Sequence, residues 1–327
     1  MSDKSGIAWT NATWNPVTGC TKVSAGCKHC YAEREWARLS VNPKAADYFG
    51  RAFTDVQTHA HRLDQPLRWR RPRRIFVNSM SDLFHDRVPD LFIDQVLAIM
   101  MLSPQHTFQV LTKRPERMRA YLADPGLYDR VLEAANNIRR AHPKMRLDEV
   151  PVDNPTTWFA RHIWWGVSAE NQETADARIP VLLETPAAVR WVSLEPLMGP
   201  VDLEKWLGPN LTAKIAWVVC GGESGPGARV FRAEWAREIL QQCRAADVPF
   251  FMKQMGAAFN DGRFTLRLRH RAGADMAEWP EDLRVREYPV IHIFASCGLG
   301  NFGTPTKEQR QEILSNARIK GRLHVPD

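Results

Sequence analysis

The sequence predicts an α/β protein built on a partial or complete parallel (β/α) barrel of TIM type, and three observations carry that prediction. Short apolar runs of four or five residues recur along the chain, each closed by a polar loop and followed by an amphipathic stretch of helical period. Runs apolar on both faces pair in parallel and need helices to cover the sheet. About six or seven such units in roughly 250 residues suit a barrel. A doubly wound open sheet is the alternative, but no G-x-G-x-x-G follows a first strand to favour it.

The elements follow in order. After the cysteine-bearing stretch "TGCTKVSAGCKHCYAE" (18–33), "YAEREWARLS" reads as a helix. "RIFVNSMSDLFHD" is a strand ending at Asn78, and "VPDLFIDQVLAIMMLSP" is a helix with Pro89 and Asp90 at its start and Pro104 beyond its end. "TFQVLTKRPERM", "HIWWGVSAENQETADARIPVLLETP" and "VRWVSLEPLMGPVDL" repeat the pattern. So does "KIAWVVCGGESGPGARVFRAEWAREILQQCRAADVP", with a helix expected over 232–245, and "FFMKQMG" is the last strand. Two regions break the rhythm. Residues 124–160 read as a helical insertion and a proline-marked loop, expected to form a lid or substrate-side excursion. Residues 290–327 lose the alternation and form an appended tail, so the barrel is assigned to 1–289.

Composition bounds the function. With 44% hydrophobic and 25% charged residues among 327, the chain can bury a full core. No apolar run follows "MSDKSGIAWTNATW", and stretches such as "FIDQVLAIMML" are too short to cross a bilayer. A reducing cytoplasm without membrane contact is therefore expected. There clustered thiols favour metal, and Cys220, Cys243 and Cys297 lie too scattered for a disulfide framework. Formal net charge is +7, which permits an anionic partner. The run "RWRRPRR" sets Arg68, Arg70, Arg71, Arg73 and Arg74 around Trp69, a pattern suited to phosphate contacts with base stacking and equally to a solvated connection. Most of the 12 tryptophans are expected to be core anchors.

Polar residues directly abut the apolar strand ends, where barrel active sites are built. Ser79, Ser81 and Asp82 follow one strand, and Lys113 and Arg114 the next. Ser168, Glu170 and Asn171, then Glu195, then Glu223, then Lys253 follow the others. Glu195, Glu223, Arg229, Lys113, Arg114 and Lys253 are the substrate-side candidates, with ion pairing inside the barrel mouth as the competing role. Cys220 at a strand end reads as a hydrogen donor or, more commonly, as packing.

Cys20, Cys27 and Cys30 offer three thiolates on one loop. Structural zinc needs a fourth ligand. No second C-x-x-C exists, and His29 lies between two cysteines, leaving His85 or a distant cysteine as open alternatives. A four-iron, four-sulfur cluster held by three thiolates leaves one iron free for a small molecule.

These residues resemble a known family. "WNPVTGC...GCKHCYA" resembles the cluster loop of radical S-adenosylmethionine (SAM) enzymes, in the form found in relatives of spore photoproduct lyase, with six residues between the first two cysteines where the common form has three. The blocks "TWNPVTGC", "CKHCYAE", "NSMSDLFHDRVP", "LTKRPERM", "WWGVSAENQ", "WVSLEPLMGPV", "CGGESGPGARV" and "FFMKQMG" resemble a phage-associated, three-cysteine family of largely uncharacterised function. The resemblance implies that Cys20, Cys27 and Cys30 hold a 4Fe-4S cluster whose open iron chelates SAM. It implies that His29 lies against the adenine, that Ser79, Ser81 and Asp82 bind the methionine ammonium, and that Ser168, Glu170 and Asn171 bind ribose hydroxyls or the SAM carboxylate. A 5'-deoxyadenosyl radical would then take hydrogen from a substrate, expected to be a nucleic acid or nucleotide gripped by the arginine run, Lys113 and Arg114, with an electron donor protein as partner. The competing expectation is a zinc-stabilised nucleic-acid-binding protein without catalysis.

Overall fold

The computed structural model describes residues 5–145, 147, 160–208, 214–266 and 268–289. Strand β1 (Ala12–Trp14) precedes the cysteine loop, β2 (Val17–Thr18) enters it, helix α1 (Tyr31–Leu39) leaves it, and β3 (Gln57–Thr58) returns antiparallel to β2. The alternation continues with β4 (Arg74–Val77), α2 (Asp90–Met101), β5 (Thr107–Thr112), α3 (Pro115–Leu122) and α4 (Leu127–Ala141). Next come β6 (Ile163–Ser168), α5 (Gln172–Glu184), β7 (Val189–Leu194) and β8 (Trp217–Gly221). The short β9 (Phe231–Arg232), α6 (Ala233–Ala245) and β10 (Phe250–Gln254) follow. Finally β11 (Phe259–Asn260) and β12 (Thr265–Leu266) join β9 in a three-stranded sheet of their own.

The main sheet has seven strands in the order β1-β4-β5-β6-β7-β8-β10, all paired in parallel. Each crossover advances the sheet by one strand in the same direction, so its twist curls it into an arc. Its first and last strands are not paired among the described residues, which makes this a partial barrel. Side chains bridge the gap. Tyr288 stacks on Trp217 with ring centroids 5.6 Å apart, its hydroxyl donates to the Ala8 carbonyl at 3.4 Å, and the Arg74 guanidinium lies 3.9 Å from its ring centroid.

Alternation along each strand separates two faces. One set, including Val77, Phe108, Val110, Val167, Val192, Leu194, Val218 and Met252, is buried in the main core with residues of α2, α5 and α6. The other set forms the concave lining, a cluster of Trp9, Phe76, Trp164, Trp191, Trp217 and Phe251. Edge-to-face pairs such as Trp9 and Trp191, 5.3 Å between centroids, suit the ring quadrupoles. Gly166 makes room for this layer: a Cβ there would stand 2.5 Å from the Trp191 ring.

The helical part of the expected insertion takes a different place from the one foreseen. Helix α4 packs on α2 and buries Leu127, Val131, Ala134 and Ala135 in the main core, because its apolar stripe matches that outer layer. It is part of the helical cover and not a lid; the proline-marked loop over 148–159 and the tail over 290–327 lie outside the described residues. No helix among the described residues is long and apolar enough to cross a membrane.

Candidate functional site

Parallel pairing brings all the strands' carboxyl ends to one side of the sheet. A cavity of about 160 Å³ lies there, walled by Ser168, Ser193, Glu195, Glu223 and Lys253 from the strand ends and by Cys27, His29 and Cys30 from the cysteine loop. Trp9, Phe76 and Leu111 supply apolar wall. The period of two explains the selection: Trp191, Ser193 and Glu195 succeed one another on the concave side of one strand, Phe251 and Lys253 on another.

The charges in this mouth are paired. Lys253 Nζ lies 3.0 Å from Glu195 Oε1, and the Ser193 hydroxyl donates to Glu195 at 3.4 Å. Glu223 receives the Arg229 backbone N–H at 2.9 Å and side-chain nitrogens at 3.0 and 2.5 Å, and lies 3.0 Å from His29 Nδ1. Burial alone would raise the Glu223 carboxyl; the hydrogen bonds from Arg229 and His29 outweigh it and hold the group below the usual carboxylate range. Arg229 also donates to the Ala25 carbonyl at 2.9 Å, and Arg34 to the Ser224 carbonyl at 2.9 Å, so the loop is tied to the end of β8.

The loop begins at Gly19, whose φ of +88° and contact with the Asp55 backbone admit no side chain. Backbone bonds from Gly19 to Met80 at 3.2 Å and from Cys20 to Phe53 at 2.9 Å fix its entry. All three thiols of the motif are free and partly exposed. Burial pushes the Cys20 thiol up to about 11, with Asp82 adding to the effect and Arg114 opposing it. Arg114 Nη1 is 3.8 Å from Cys20 Sγ, and Cys27 Sγ is 4.0 Å from the Ser24 hydroxyl.

The loop offers three thiols that could hold a metal centre. A tetrahedral zinc would hold its sulfurs about 3.8 Å apart, from Zn–S bonds of about 2.3 Å. Among the described residues the three ligand atoms that lie within 4.8 Å of one another belong to Asp47, His59 and His61, not to the cysteines. That trio of one aspartate and two histidines is itself poorly placed for a cation. The Asp47 carboxylate is ion-paired with Arg62, and burial followed by the charge of Arg62 pushes His59 down to about 4. The ring of Trp9 lines the cavity, while its Nε1 is buried and has no partner among the described residues. Three thiols are free, and two of them, Cys27 and Cys30, line the cavity.

The structure brings together only some of the residues singled out in the sequence. Cys27, Cys30, His29, Ser168, Lys113, Glu195, Glu223 and Lys253 line the cavity. Others are spent elsewhere. Ser79 donates to Asn15 at 3.2 Å and Ser81 to the Val17 carbonyl at 2.8 Å. Asp82 accepts from Thr112 at 2.8 Å, from the backbone of Phe84 at 3.0 Å and Lys113 at 3.1 Å, and from Arg114 at 3.1 Å. Asn171 caps α5 through the Thr174 backbone at 3.0 Å. Glu170 is fully buried against Arg178 at 3.1 Å, Ser24 at 2.8 Å and Lys113 at 3.8 Å. Cys220 faces the helix-side core and not the cavity, because it alternates with the concave Val219 and Gly221.

The arginine run lies at the other end of the sheet, since Arg74 opens β4 and the cavity is at its close. There Arg68 pairs with Asp64, Arg73 stands 5.0 Å from the Trp69 ring centroid and Arg74 covers Tyr288. The run and Lys113 therefore do not make one surface. Sequence reasoning missed Ser24 and Arg178. The last has a faint signal, two helical turns beyond Glu170 on an amphipathic helix.

Fold and site define an α/β protein with an open parallel sheet that presents a three-cysteine loop over a cavity holding paired charges. More particularly, residues 4–312 match the model of a family described as protein of unknown function (DUF5131), and the chain belongs to that family. Neither the curated proteins nor the solved structures offer a match.

Proposed function

We propose that the protein is a radical SAM enzyme in which Cys20, Cys27 and Cys30 hold a 4Fe-4S cluster at the mouth of the partial barrel and the substrate is a nucleotide or nucleic acid. The observation that carries this reading is that Cys27 and Cys30 open onto the same cavity as the Lys253–Glu195 and His29–Glu223–Arg229 groups. When bound, the cluster and SAM would supply one-electron cleavage of the sulfonium bond and hydrogen abstraction from a substrate.

The chain's own residues supply orientation and a dry wall. His29 is held at its Nδ1 by Glu223, which leaves the other edge of its ring for a ligand. Ser168 offers a hydroxyl to polar groups entering the cavity. Lys253 and Glu195, locked together, present a donor and an acceptor at fixed spacing, which suits positioning of a polar substrate. Phe76 and Leu111 exclude water beside them. Lys113 and Lys253 at the mouth support an anionic substrate; the arginine run, at the far end of the sheet, lends it no support. The competing zinc-knuckle reading draws on the arginine run for phosphate contacts, and that run starts β4, at the far end of the sheet from the cysteine loop.

The test is metal and acid-labile sulfide analysis of anaerobically purified and reconstituted protein, followed by reduction in the presence of SAM. The expected result is about four irons per chain, with SAM cleavage, and loss of iron in Cys27→Ala. A protein that takes up zinc alone, or a Cys27→Ala variant that keeps all of its iron, would overturn the proposal.

A further inference from the structure

Glu170 has no exposed surface, yet it lies beside the cysteine loop, which is partly exposed along its length. Its carboxylate is held from below by Arg178 of α5, with contacts of 3.1 and 3.3 Å, and Arg178 also donates to the Ser168 carbonyl at 2.7 Å. From above it accepts the Ser24 hydroxyl at 2.8 Å. Gly26 lies directly against the same side chain, and a Cβ at Gly26 would overlap the Glu170 carboxylate. Since Glu170 is clamped by Arg178 and cannot swing away, that contact leaves no slack. Ser24 and Gly26 flank the entry to Cys27, so one buried carboxylate sets where that thiol stands. Nothing in this arrangement leaves Glu170 free to bind a ligand, since its oxygens are already shared among Ser24, Arg178 and Lys113.

We propose that Glu170 is a positioning residue: with Arg178 behind it, it seats the cysteine loop through Ser24 and Gly26 and fixes Cys27 toward the cavity. The inference rests on the reading of Cys27 as a cluster ligand for its purpose, but the seating itself is a property of the metal-free chain. A bare structural role for Glu170 would make its removal a matter of overall stability. Seating makes a narrower demand, that the effects of Glu170 and Gly26 on Cys27 be coupled, because both act through one contact.

The experiment measures alkylation of Cys27 by iodoacetamide in full-length protein purified without iron, read by mass spectrometry, with the buried Cys243 as internal control. Ser24→Ala, Gly26→Ala, Glu170→Ala and the double variant Gly26→Ala/Glu170→Ala are compared with wild type. The expected result is a rise of about tenfold in Cys27 labelling for Ser24→Ala and Glu170→Ala, the factor that loss of one hydrogen bond to a charged group carries, and a rise in Gly26→Ala, whose methyl pushes the loop off the carboxylate, with Cys243 unchanged. The double variant is expected to match Glu170→Ala alone, since the alanine methyl then has room. Wild-type rates in Ser24→Ala and Glu170→Ala, or single effects that multiply in the double variant, would overturn the inference. Ser24→Ala leaves the Glu170–Arg178 pair intact, so it decides the question even if the Glu170 variants fail to fold. Iron content after reconstitution is read separately: a wild type that binds no iron sinks the cluster reading, while the labelling comparison still decides the seating.

Discussion

At the scale of single residues, the concave lining is set by one missing side chain. Gly166 of β6 stands opposite Trp191 of β7 in the ladder, and Trp191 is fully buried among other aromatic rings. Adding a methyl at Gly166 forces that indole out of a packed layer, and overpacking of a core costs about 1–3 kcal/mol. Gly166→Ala is expected to lose that much in urea unfolding while keeping secondary structure; a loss under about 0.5 kcal/mol would show the layer to be loose. The candidate residues differ in how readable they were for a similar reason. Glu195 and Lys253 stand out in the sequence because a charge directly follows an apolar strand, and period-two alternation then puts them on the concave side. The Ser24–Glu170 bond joins positions 146 residues apart, and no local pattern announces it. Glu170 itself was read as a ligand contact, since sequence shows an acid at a strand end but not the arginine that occupies it.

At the scale of elements, α5 illustrates how a helix is closed at both ends by its neighbours. Asn171 and Thr174 exchange hydrogen bonds as a capping box at its start. At its close the buried Arg190 of β7 donates to the Leu182 carbonyl at 3.1 Å and the Thr185 carbonyl at 2.7 Å, a cation at the negative end of the helix. Asn171→Ala is expected to cost about 1 kcal/mol of stability, seen as a lower urea midpoint with unchanged slope. An unchanged midpoint would mean that Arg178 and Arg190 hold the helix without its cap. The alternation of strand and helix from β4 to β7 and from β8 to β10 was legible because each strand is a short apolar run followed by an amphipathic stretch; the helix expected after β7 is only a 3-10 turn at Glu204–Trp206, where Pro196 and Pro200 break the run. Strand β1 was not foreseen: three residues interrupted by polar neighbours carry no period. The placing of α4 was also hidden, since an amphipathic stripe tells that a helix is covered but not by what.

For the whole molecule, buried imidazoles contribute to the response to acid. His59 is held down to about 4 by burial and by Arg62, and burial lowers His85, His106 and His162 as well. A folded value below the ordinary 6.5 means that the unfolded chain takes up the proton first as pH falls. The stabilisation is therefore complete above 6.5 and is lost as pH drops toward about 4. Each such group contributes a slope of about 1.4 kcal/mol per pH unit inside its window. Urea unfolding at pH 8, 6 and 5 is expected to show a steady loss, less steep in His59→Gln; identical slopes in the two proteins would contradict the assignment.

The side-chain bridge of Tyr288 between the two ends of the sheet makes this seam unlike the rest of the wall. Elsewhere adjacent strands are stitched by peptide ladders, whereas among the described residues one phenol, through its hydroxyl on Ala8 and its ring under Arg74, joins the first strands to the last. Removing that ring would loosen the two margins from each other without breaking a single ladder bond.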